Sequence, residues 1–434
     1  MYVCGPTPYG PPHLGHGRKE MVFDTIRRYL LWRGFAVTYV SNVTDVEDKI
    51  IARALDEGTT EPEISARYEA EFRRQFDLLN VLPPDEEPHA TEWIDEMVAL
   101  TADLVTRGHA YVVEGQGVYF QVDTLPSYGE LSHRTLDDLM ESAGKRVEID
   151  ERKRAPVDFA LWKAAKPNEP SWESPWGRGR PGWHIECSAM SLKLLGDGFD
   201  IHGGGSDLTF PHHENEIAQA VGAGHEFARH WIHNGMVNVD GVKMSKSLNN
   251  FTMLGEVLDA FDPRAFRLLV LQTHYRRQME VGQKELADAE KAVERLDALM
   301  RRARRAGLAG KVGDTTAFRE AMDDDFDTPA AIALIFEMVR DANTALDENR
   351  TVDAAGLVAT IGELWQVLGL WWVDEDEELD GDIRALVTAR DDARARKDWA
   401  ESDRIRDELK AKGIVLEDTA DGTVWRRLRA DDEA

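Results

Sequence analysis

The first 50 residues constrain the fold most strongly, because an irregular turn separates a short apolar strand from a helix there. The turn contains five residues that break regular structure (Pro6, Pro8, Gly10, Pro11 and Pro12). From about Gly15 apolar residues recur at helical spacing, Gly34 stands where a C-terminal cap belongs, and residues 36–41 form a second apolar run. This β-α-β order predicts a doubly wound, Rossmann-like α/β domain whose ligands bind beyond the carboxyl ends of its strands.

The rest of the chain predicts an insertion and two further regions. Residues 111–123 have the pattern of two short strands around a turn, whereas residues 150–182 hold five prolines and three tryptophans and are expected to be irregular. We therefore interpret residues 111–182 as an insertion within the α/β domain. Residues 183–237 return to an α/β pattern, and the region from residue 252 onward is helical almost throughout. Residues 383–429 have the pattern of a helix pair and a hairpin. The predicted fold is thus an α/β domain with an insertion, an all-α region and a small C-terminal α+β module.

The overall charge of the chain is a poor guide to its partners. The chain carries 52 Lys and Arg against 80 Asp and Glu residues, a net charge of −28. An acidic surface repels phosphate at long range, yet nucleic-acid binding depends on local patches. Residues 384–412 hold nine basic and seven acidic residues, and Arg426, Arg427 and Arg429 stand beside Trp425. Such clusters are typical of base-stacking and phosphate-binding sets, although each is equally consistent with a solvated helix face.

Cysteine content and hydropathy indicate the compartment. Only Cys4 and Cys187 are present, which excludes a disulfide-dense secreted scaffold and indicates a reducing environment. No apolar run approaches the roughly 18 residues of a membrane span, and the first residues lack the basic stretch and apolar core of a signal peptide. The sequence therefore predicts a cytoplasmic protein without a membrane partner, and we expect a monomer.

A first candidate site is His13-Leu-Gly-His16, at the junction between the turn and the first helix. A helix N-terminus presents free N–H groups and the positive end of the helix dipole, which suit phosphate. Two imidazoles there could donate hydrogen bonds to phosphate oxygens, and Gly15 would let a flat adenine or ribose approach the backbone. Alone the motif is a weak signal, because two histidines and a glycine at a helix start need no ligand.

A second candidate site is Lys243-Met-Ser-Lys-Ser247, which follows a turn signal at Asp240-Gly241. Two lysines three residues apart on a loop can close over a polyphosphate and stabilise charge on a departing pyrophosphate. A solvated surface loop is the alternative for this segment alone. However, HxGH after the first strand and KMSKS more than 200 residues later resemble the signature pair of the class I aminoacyl-tRNA synthetases, which leaves that alternative little room.

A third candidate site is a set of metal ligands: two thiols, an imidazole and a carboxylate (Cys4, Cys187, His212 and Glu216). His212 and Glu216 stand four residues apart, so on a helix they share one face. Such donors suit Zn²⁺. The alternative for the two cysteines is burial as small apolar residues. We interpret His213 and Glu214 as neighbours that face elsewhere, and the segment is not the H-E-x-x-H of a zinc protease.

Taken together, seven segments resemble the cysteinyl-tRNA synthetases. They are Met1-Tyr-Val-Cys-Gly-Pro-Thr7, His13-Leu-Gly-His16, Asn42-Val-Thr-Asp45, Pro181-Gly-Trp-His-Ile-Glu-Cys187, His202-Gly-Gly-Gly-Ser-Asp207, Pro211-His-His-Glu-Asn-Glu216 and Lys243-Met-Ser-Lys-Ser247. The resemblance continues through residues 397–426 and covers nearly the whole chain. Family members usually carry further residues ahead of the first segment, so we expect Cys4 to be less well supported here.

The resemblance implies substrates and residue roles. It implies that one Zn²⁺ per chain is held by the four candidate ligands and takes the sulfur of L-cysteine as thiolate. It implies a cysteine pocket lined by Thr44, Trp183 and His202, although Trp183 could also be an ordinary core aromatic. ATP, bound with Mg²⁺, would contact Asp207 through its ribose. The phosphates of ATP would be stabilised by side chains of both signature motifs: His13, His16, Lys243 and Lys246. Gly15 would lie beside the bound ATP.

The resemblance also implies tRNA(Cys) as the acceptor and a division of labour along the chain. The expected segments are the first half of the catalytic domain (1–110), a connective insertion (111–182), the second half of the catalytic domain (183–237), the KMSKS loop with a stem-contact region (238–290), a helical tRNA-binding bundle (291–373) and a small anticodon-side module (383–434).

Three other functions fit parts of the sequence. A cysteine ligase that uses an amino-sugar acceptor in mycothiol synthesis would share the core but lack the module at 383–429. A regulatory or nucleic-acid-binding protein that lost activity would not need intact signature motifs and metal ligands. A plain nucleotidyltransferase would need neither the ligand set nor the long helical tail. The cysteine–tRNA ligase remains the preferred prediction.

Overall fold

The computed structural model describes residues 1–135, 138, 153–167, 169–238, 253–372, 381–412, 414–419 and 422–427. It divides into two compact units, residues 1–370 and residues 371–434. None of the described helices is both long enough and apolar enough to cross a membrane.

The centre of the first unit is a parallel sheet of four strands, in the order β2-β1-β7-β8. Its strands are β1 (Tyr2–Val3), β2 (Val40–Ser41), β7 (Ile201–Gly205) and β8 (His230–Asn234). Because β1 lies between two partners, the peptide N–H of Cys4 donates to the carbonyl of Gly203 at 3.1 Å. The terminal amine donates to the carbonyl of Thr38 at 2.9 Å. The expectation that Cys4 would be less well supported is therefore wrong.

The predicted apolar strand over residues 36–41 is shorter than expected. Only Val40 and Ser41 pair with β1, and Phe35 is 59% exposed. Ala36 and Val37 thus lie outside the sheet: Ala36 is exposed, and Val37 is partly buried against the neighbouring apolar core. The helix α1 (Leu14–Trp32) forms as predicted, and Gly34 adopts a φ of +87°, a left-handed conformation that glycine accepts without strain.

A second sheet lies between the halves of the parallel sheet in the sequence. It is antiparallel, in the order β3-β4-β5-β6. Its strands are β3 (Ala110–Val113), β4 (Gly117–Phe120), β5 (Phe159–Ala164) and β6 (Gly179–Pro181). The expectation that residues 150–182 would be irregular is wrong for β5 and β6, because Leu161 and Trp162 are buried and draw the segment into the core. Pro181 is tolerated because β6 is an edge strand.

Helices cover the remaining part of the first unit. Those around the two sheets are α2 (Asp48–Glu57), α3 (Glu61–Leu78), α4 (Ile94–Thr106), α5 (Trp183–Leu195) and α6 (Glu214–Gly222). A short parallel pair follows, β9 (Val237–Asn238) with β10 (Met279–Glu280). The helical region predicted from residue 252 onward is confirmed: it comprises α7 (Leu254–Ala260), α8 (Pro263–Leu271), α9 (Gln283–Arg305), α10 (Thr316–Asp323), α11 (Thr328–Asp347) and α12 (Thr351–Val367).

The second unit has the predicted helix pair and hairpin. The helices are α13 (Gly381–Ala395) and α14 (Trp399–Ala411), and the antiparallel strands are β11 (Ile414–Thr419) and β12 (Gly422–Arg427). Ile405, Leu409 and Ile414 form its small apolar core. The side chains of the predicted aromatic and arginine cluster at 425–429 lie outside the described set.

Candidate active site and metal centre

The carboxyl end of the parallel sheet faces a cavity of about 270 Å³. One side of the cavity is the start of α1, where His13, Gly15 and His16 line it, and another is the segment from Asn234 to Val237. Asp207, which follows β7, and Trp183, the first residue of α5, also line it. The cavity thus brings together six of the thirteen predicted site residues: Cys4, His13, Gly15, His16, Trp183 and Asp207. Lys243 and Lys246 lie outside the described residues.

His13 and His16 hold each other in a fixed arrangement. The backbone N–H of His16 donates to Nδ1 of His13 at 3.3 Å, and the backbone N–H of His13 donates to Nδ1 of His16 at 3.1 Å. Their rings stack with centroids 3.6 Å apart. Because both Nδ1 atoms accept hydrogen bonds, each neutral ring carries its proton on Nε2. The pair therefore offers two Nε2–H donors.

Partial desolvation favours the neutral form of both imidazoles, although His13 is exposed and His16 is only partly buried. It lowers the pKa of His13, and it lowers the pKa of His16 to about 2, with His13 and Lys19 adding to the effect. A neutral ring can donate a hydrogen bond, and it adds no charge to the helix start, which already carries the positive end of the helix dipole. Two lysines, Lys19 and Lys49, also line the cavity. The ammonium of Lys19 is paired with the carboxylate of Glu20 at 2.6 Å, so the positive charge offered to a ligand comes mainly from Lys49. The sequence interpretation missed both, although Lys19 stands one helical turn after His16.

The four predicted metal ligands converge beside this cavity. One donor atom from each of Cys4, Cys187, His212 and Glu216 lies within 4.8 Å of the others, and all four residues are buried. The two Sγ atoms are 3.7 Å apart, and Sγ of Cys4 is 3.5 Å from Oε1 of Glu216. Nε2 of His212 is 3.1 Å from the same oxygen. The alternative of simple apolar burial does not account for two thiols among an imidazole and a carboxylate.

A second, overlapping set of donors shares Cys4 and Glu216. It adds His202 and His213, whose donor atoms fulfil the same 4.8 Å limit. Nε2 of His213 is 3.4 Å from Sγ of Cys4, and Nε2 of His202 is 2.7 Å from Oε2 of Glu216. The interpretation that His213 faces elsewhere is therefore wrong. For Glu214 it is confirmed, because its carboxylate accepts the backbone N–H groups of residues 129 and 132.

The backbone is irregular just ahead of the two adjacent histidines. Residues 209–213 form a kinked turn in which Phe210 is non-helical, with φ −138° and ψ 129°, and the regular helix α6 begins at Glu214. His212 and His213 therefore precede the regular helix, in which successive side chains are rotated by about 100° from each other. The carboxylate of Glu216 meets His212 from the first turn of α6.

Burial determines the protonation of the candidate ligands. It raises the pKa of Cys4 and of Cys187, so both thiols stay protonated without a cation nearby. It lowers the pKa of His212 and His213 well below the usual range, so both rings are neutral and have a free lone pair. A bound cation would supply the charge that makes these thiols thiolates.

The residues implied for the cysteine pocket occupy two different positions. Trp183 is 37% exposed and lies over His212, with ring centroids 4.2 Å apart, so it is not a core aromatic. Thr44 and His202 are buried, and the described residues that line the cavity do not include them. The hydroxyl of Thr44 donates to Glu186 at 3.0 Å. His202 contacts the ligand Glu216, so it faces the metal-ligand cluster.

Comparison with solved structures identifies the class of the fold. The chain superimposes on methionyl-tRNA synthetase of Mycobacterium tuberculosis in complex with methionyl-adenylate, with a TM-score of 0.61, 16% identity and coverage of 85% and 89% of the two chains. A putative arginyl-tRNA synthetase of Campylobacter jejuni gives a TM-score of 0.59 with 14% identity, over 86% and 93%. A family model described as the class I (C) tRNA synthetase catalytic domain matches residues 1–291. The fold is that of a class I aminoacyl-tRNA synthetase.

More similar relatives identify the family within that class. The cysteine–tRNA ligase of Methylococcus capsulatus is 49% identical over 98% of this chain and 95% of its own length. That of Histophilus somni is 48% identical over 99% and 95%. Residues 317–372 match a DALR domain, and residues 376–426 match a cysteinyl-tRNA ligase anticodon-binding domain. The chain belongs to the cysteine–tRNA ligase family.

Proposed function

We propose that this protein attaches L-cysteine to tRNA(Cys) in an ATP-dependent reaction, through a cysteinyl-adenylate. One observation carries the proposal: similarity to cysteine–tRNA ligases extends over 98% of the chain at 49% identity. It thus includes both the catalytic fold and the C-terminal module. Since tRNA is charged where translation takes place, we expect a cytoplasmic protein, and the monomeric state stays a prediction.

The first step joins the carboxylate of cysteine to the α-phosphate of ATP, with pyrophosphate as the leaving group. A carboxylate is already ionised at neutral pH, so the attack needs no general base. The chain then contributes position and electrostatics. The Nε2–H groups of His13 and His16 would donate to phosphate oxygens, and Asp207 would accept from the ribose. Mg²⁺ would accompany ATP.

The lysines at the site would neutralise the developing negative charge. Lys49 lines the cavity and lies 5.0 Å from the ring centroid of Tyr9. We propose that Lys243 and Lys246 supply further charge to the departing pyrophosphate, as the order of the two signature motifs suggests. The interactions of these lysines with the phosphates would strengthen as negative charge moves to the departing pyrophosphate. They would therefore stabilise the transition state more than the bound substrates, which lowers the activation barrier.

The donor set fits Zn²⁺ in both chemistry and spacing. Tetrahedral Zn²⁺ with ordinary bond lengths places two sulfurs about 3.8 Å apart and a sulfur and an oxygen about 3.5 Å apart. The corresponding separations here are 3.7 Å between the thiols and 3.5 Å from Cys4 to Glu216. We therefore propose that Cys4, Cys187, His212 and Glu216 hold Zn²⁺. When bound, Zn²⁺, which accepts soft sulfur ligands, would favour the thiolate of cysteine over the hydroxyl of serine.

The surrounding side chains would orient this centre. Trp183 covers His212 on the cavity side, so it would exclude water and pack against the substrate side chain. His202 would hold Glu216 through its 2.7 Å contact. The side-chain amide Nδ2 of Asn42 donates to the hydroxyl of Thr44 at 3.2 Å, and Oδ1 of the same amide is 3.6 Å from Sγ of Cys187. We propose that Thr44 holds the side chain of Asn42 against Cys187 and in this way shapes the cysteine pocket. Discrimination by one strong polar contact can make an editing site unnecessary.

For the transfer step, we propose that the helices after α8 and the second unit bind tRNA. The matched anticodon-binding domain supports this acceptor over the amino sugar of the mycothiol ligases. The test is to incubate the enzyme with labelled cysteine and ATP, and with either tRNA(Cys) or glucosaminyl-inositol as acceptor. We expect label only on tRNA. Transfer to the amino sugar with none to tRNA would contradict the proposal.

A further inference from the structure

A buried arginine follows the first signature motif by two residues. Arg18 on α1 is 0% exposed. Its guanidinium donates to four backbone carbonyls of two other segments. Nη1 binds the carbonyls of Gly235 at 2.8 Å and Met236 at 2.9 Å, and Nη2 binds those of Tyr275 at 3.3 Å and Arg277 at 2.5 Å. One side chain thus joins the signature helix to both segments.

Arg18 differs from the other large buried arginines of the described chain. Arg180, Arg264 and Arg267 each face a carboxylate. Arg18 has no carboxylate within 4.0 Å among the described residues, and its Nε has no hydrogen-bond partner. Burial lowers its pKa to about 10, which leaves it charged at neutral pH. A buried cation without a counter-charge is expensive, so general stability is a poor explanation for it.

Two of the four bound carbonyls belong to residues that line the cavity assigned to the nucleotide. Gly235 and Met236 line that cavity, as do Gly15 and His16, which stand on the same helix as Arg18. The N–H of Gly235 donates to the carbonyl of Tyr275 at 2.7 Å. The contact is close, because a Cβ on Gly235 would lie 2.3 Å from the carbonyl oxygen of Arg277. Arg18 does not itself line the cavity. It therefore links two elements that do, the helix α1 and the segment at residues 235–236.

We propose that Arg18 is a positioning residue for ATP: it holds the wall at residues 235–236 at a fixed distance from the HxGH helix. It does not touch the nucleotide. This inference rests on the proposed function, because it assigns the cavity to ATP. Four hydrogen bonds from a planar, charged group fix distance and orientation together, which an ammonium group cannot do.

The test is Arg18→Lys, which keeps the charge but cannot reach four carbonyls in a fixed plane. In cysteine-dependent ATP–pyrophosphate exchange we expect KM for ATP to rise by roughly tenfold. KM for cysteine should stay within about twofold of wild type, since the metal ligands are on other segments. A folded variant whose KM for ATP stays within about twofold of wild type would overturn the proposal.

A second variant reaches the same wall without changing Arg18. In Gly235→Ala the added Cβ would clash with the carbonyl oxygen of Arg277 and push residue 235 away from it. We therefore expect the same selective rise in KM for ATP. If Arg18→Lys does not fold, this variant decides: an unchanged KM for ATP overturns the proposal. Arg264→Lys is the matched control, because Arg264 is a buried arginine of α8 that pairs with Asp297 of α9 and lies outside the cavity lining. An equal rise in that control would show general destabilisation and overturn the proposal.

Failure of the inference can be told apart from failure of the proposed function. Wild type without any cysteine-dependent exchange would contradict the proposed function. Binding of ATP alone, measured by calorimetry on wild type and Arg18→Lys, still tests the role of Arg18 in that case. Equal affinities would overturn the inference, and weaker binding by the variant would support it.

Discussion

Nδ1 of His184 lies 2.9 Å from Nδ1 of His212. Burial lowers the pKa of His184 to about 3, so its ring is neutral and one of the two nitrogens must accept the proton that the other carries. If Nε2 of His212 binds a metal, its Nδ1 carries the proton and His184 accepts it. His184 thus fixes the tautomer and the ring plane of a proposed ligand.

This relationship predicts a loss of metal affinity without loss of a ligand. His184→Phe keeps a flat ring against Phe159 but removes the acceptor. We expect zinc affinity to fall by roughly 10–100-fold, as it does when other groups that hydrogen-bond the second ring nitrogen of a metal-binding histidine are removed. Competition with a chelator of known affinity measures it. Unchanged affinity would mean that packing alone orients His212.

Adjacent histidines allow a matched test of the two overlapping donor sets. His212→Ala should remove bound zinc, whereas His213→Ala should retain it, because only His212 belongs to the set with both cysteines. The zinc content of each purified variant, measured by atomic absorption, gives the answer. The reverse pattern would assign the metal to Cys4, His202, His213 and Glu216.

The second signature motif should act on chemistry rather than on metal binding. Lys243→Ala and Lys246→Ala should each lower kcat for ATP–pyrophosphate exchange by roughly 10²–10³-fold, since each removes a charge that stabilises the leaving group. Zinc content and KM for cysteine should not change. Lys284→Ala, at an exposed lysine of α9, is the control and should match wild type. A normal kcat in both motif variants would contradict the assigned role.

Burial of His16 predicts a pH dependence of stability. Its pKa falls from about 6.5 in the unfolded chain to about 2 in the folded protein. Between these values the unfolded state binds a proton that the folded state does not, so stability is present above pH 6.5 and is lost as pH falls. His16→Gln should make the free energy of unfolding less steep between pH 6.5 and 5, by at most about 1.4 kcal/mol per pH unit. Urea titrations compare the slopes, and identical slopes would contradict the assigned burial.

The sequence predicted much of this architecture because its signals are local. The β-α-β opening, the hairpin of β3 and β4 and the helices after residue 252 follow from periodicity and turn residues. The strands β5 and β6 were missed because the prolines around them, and Pro181 within β6, mask the buried run of β5, whose partner β4 lies more than 30 residues earlier in the sequence. That pairing depends on tertiary packing, which local propensity does not report.

The candidate site shows the same division between local and long-range information. Ligand chemistry predicted the set of Cys4, Cys187, His212 and Glu216 before any distance was known. His213 was missed because its contact with Sγ of Cys4 joins residues that are 209 positions apart in the sequence, and the kink at Phe210 just ahead of it has no local signal that predicts it. Lys49 and Arg18 were missed because their roles arise from contacts between segments far apart in sequence.

Cysteine-dependent exchange of pyrophosphate into ATP tests the central claim most directly. The purified full chain, with its zinc content measured, would be assayed with cysteine and with serine. We expect about one zinc per chain and exchange with cysteine only, because the thiolate is the group that the metal distinguishes. No exchange from folded, zinc-loaded protein, or equal exchange with serine, would contradict it.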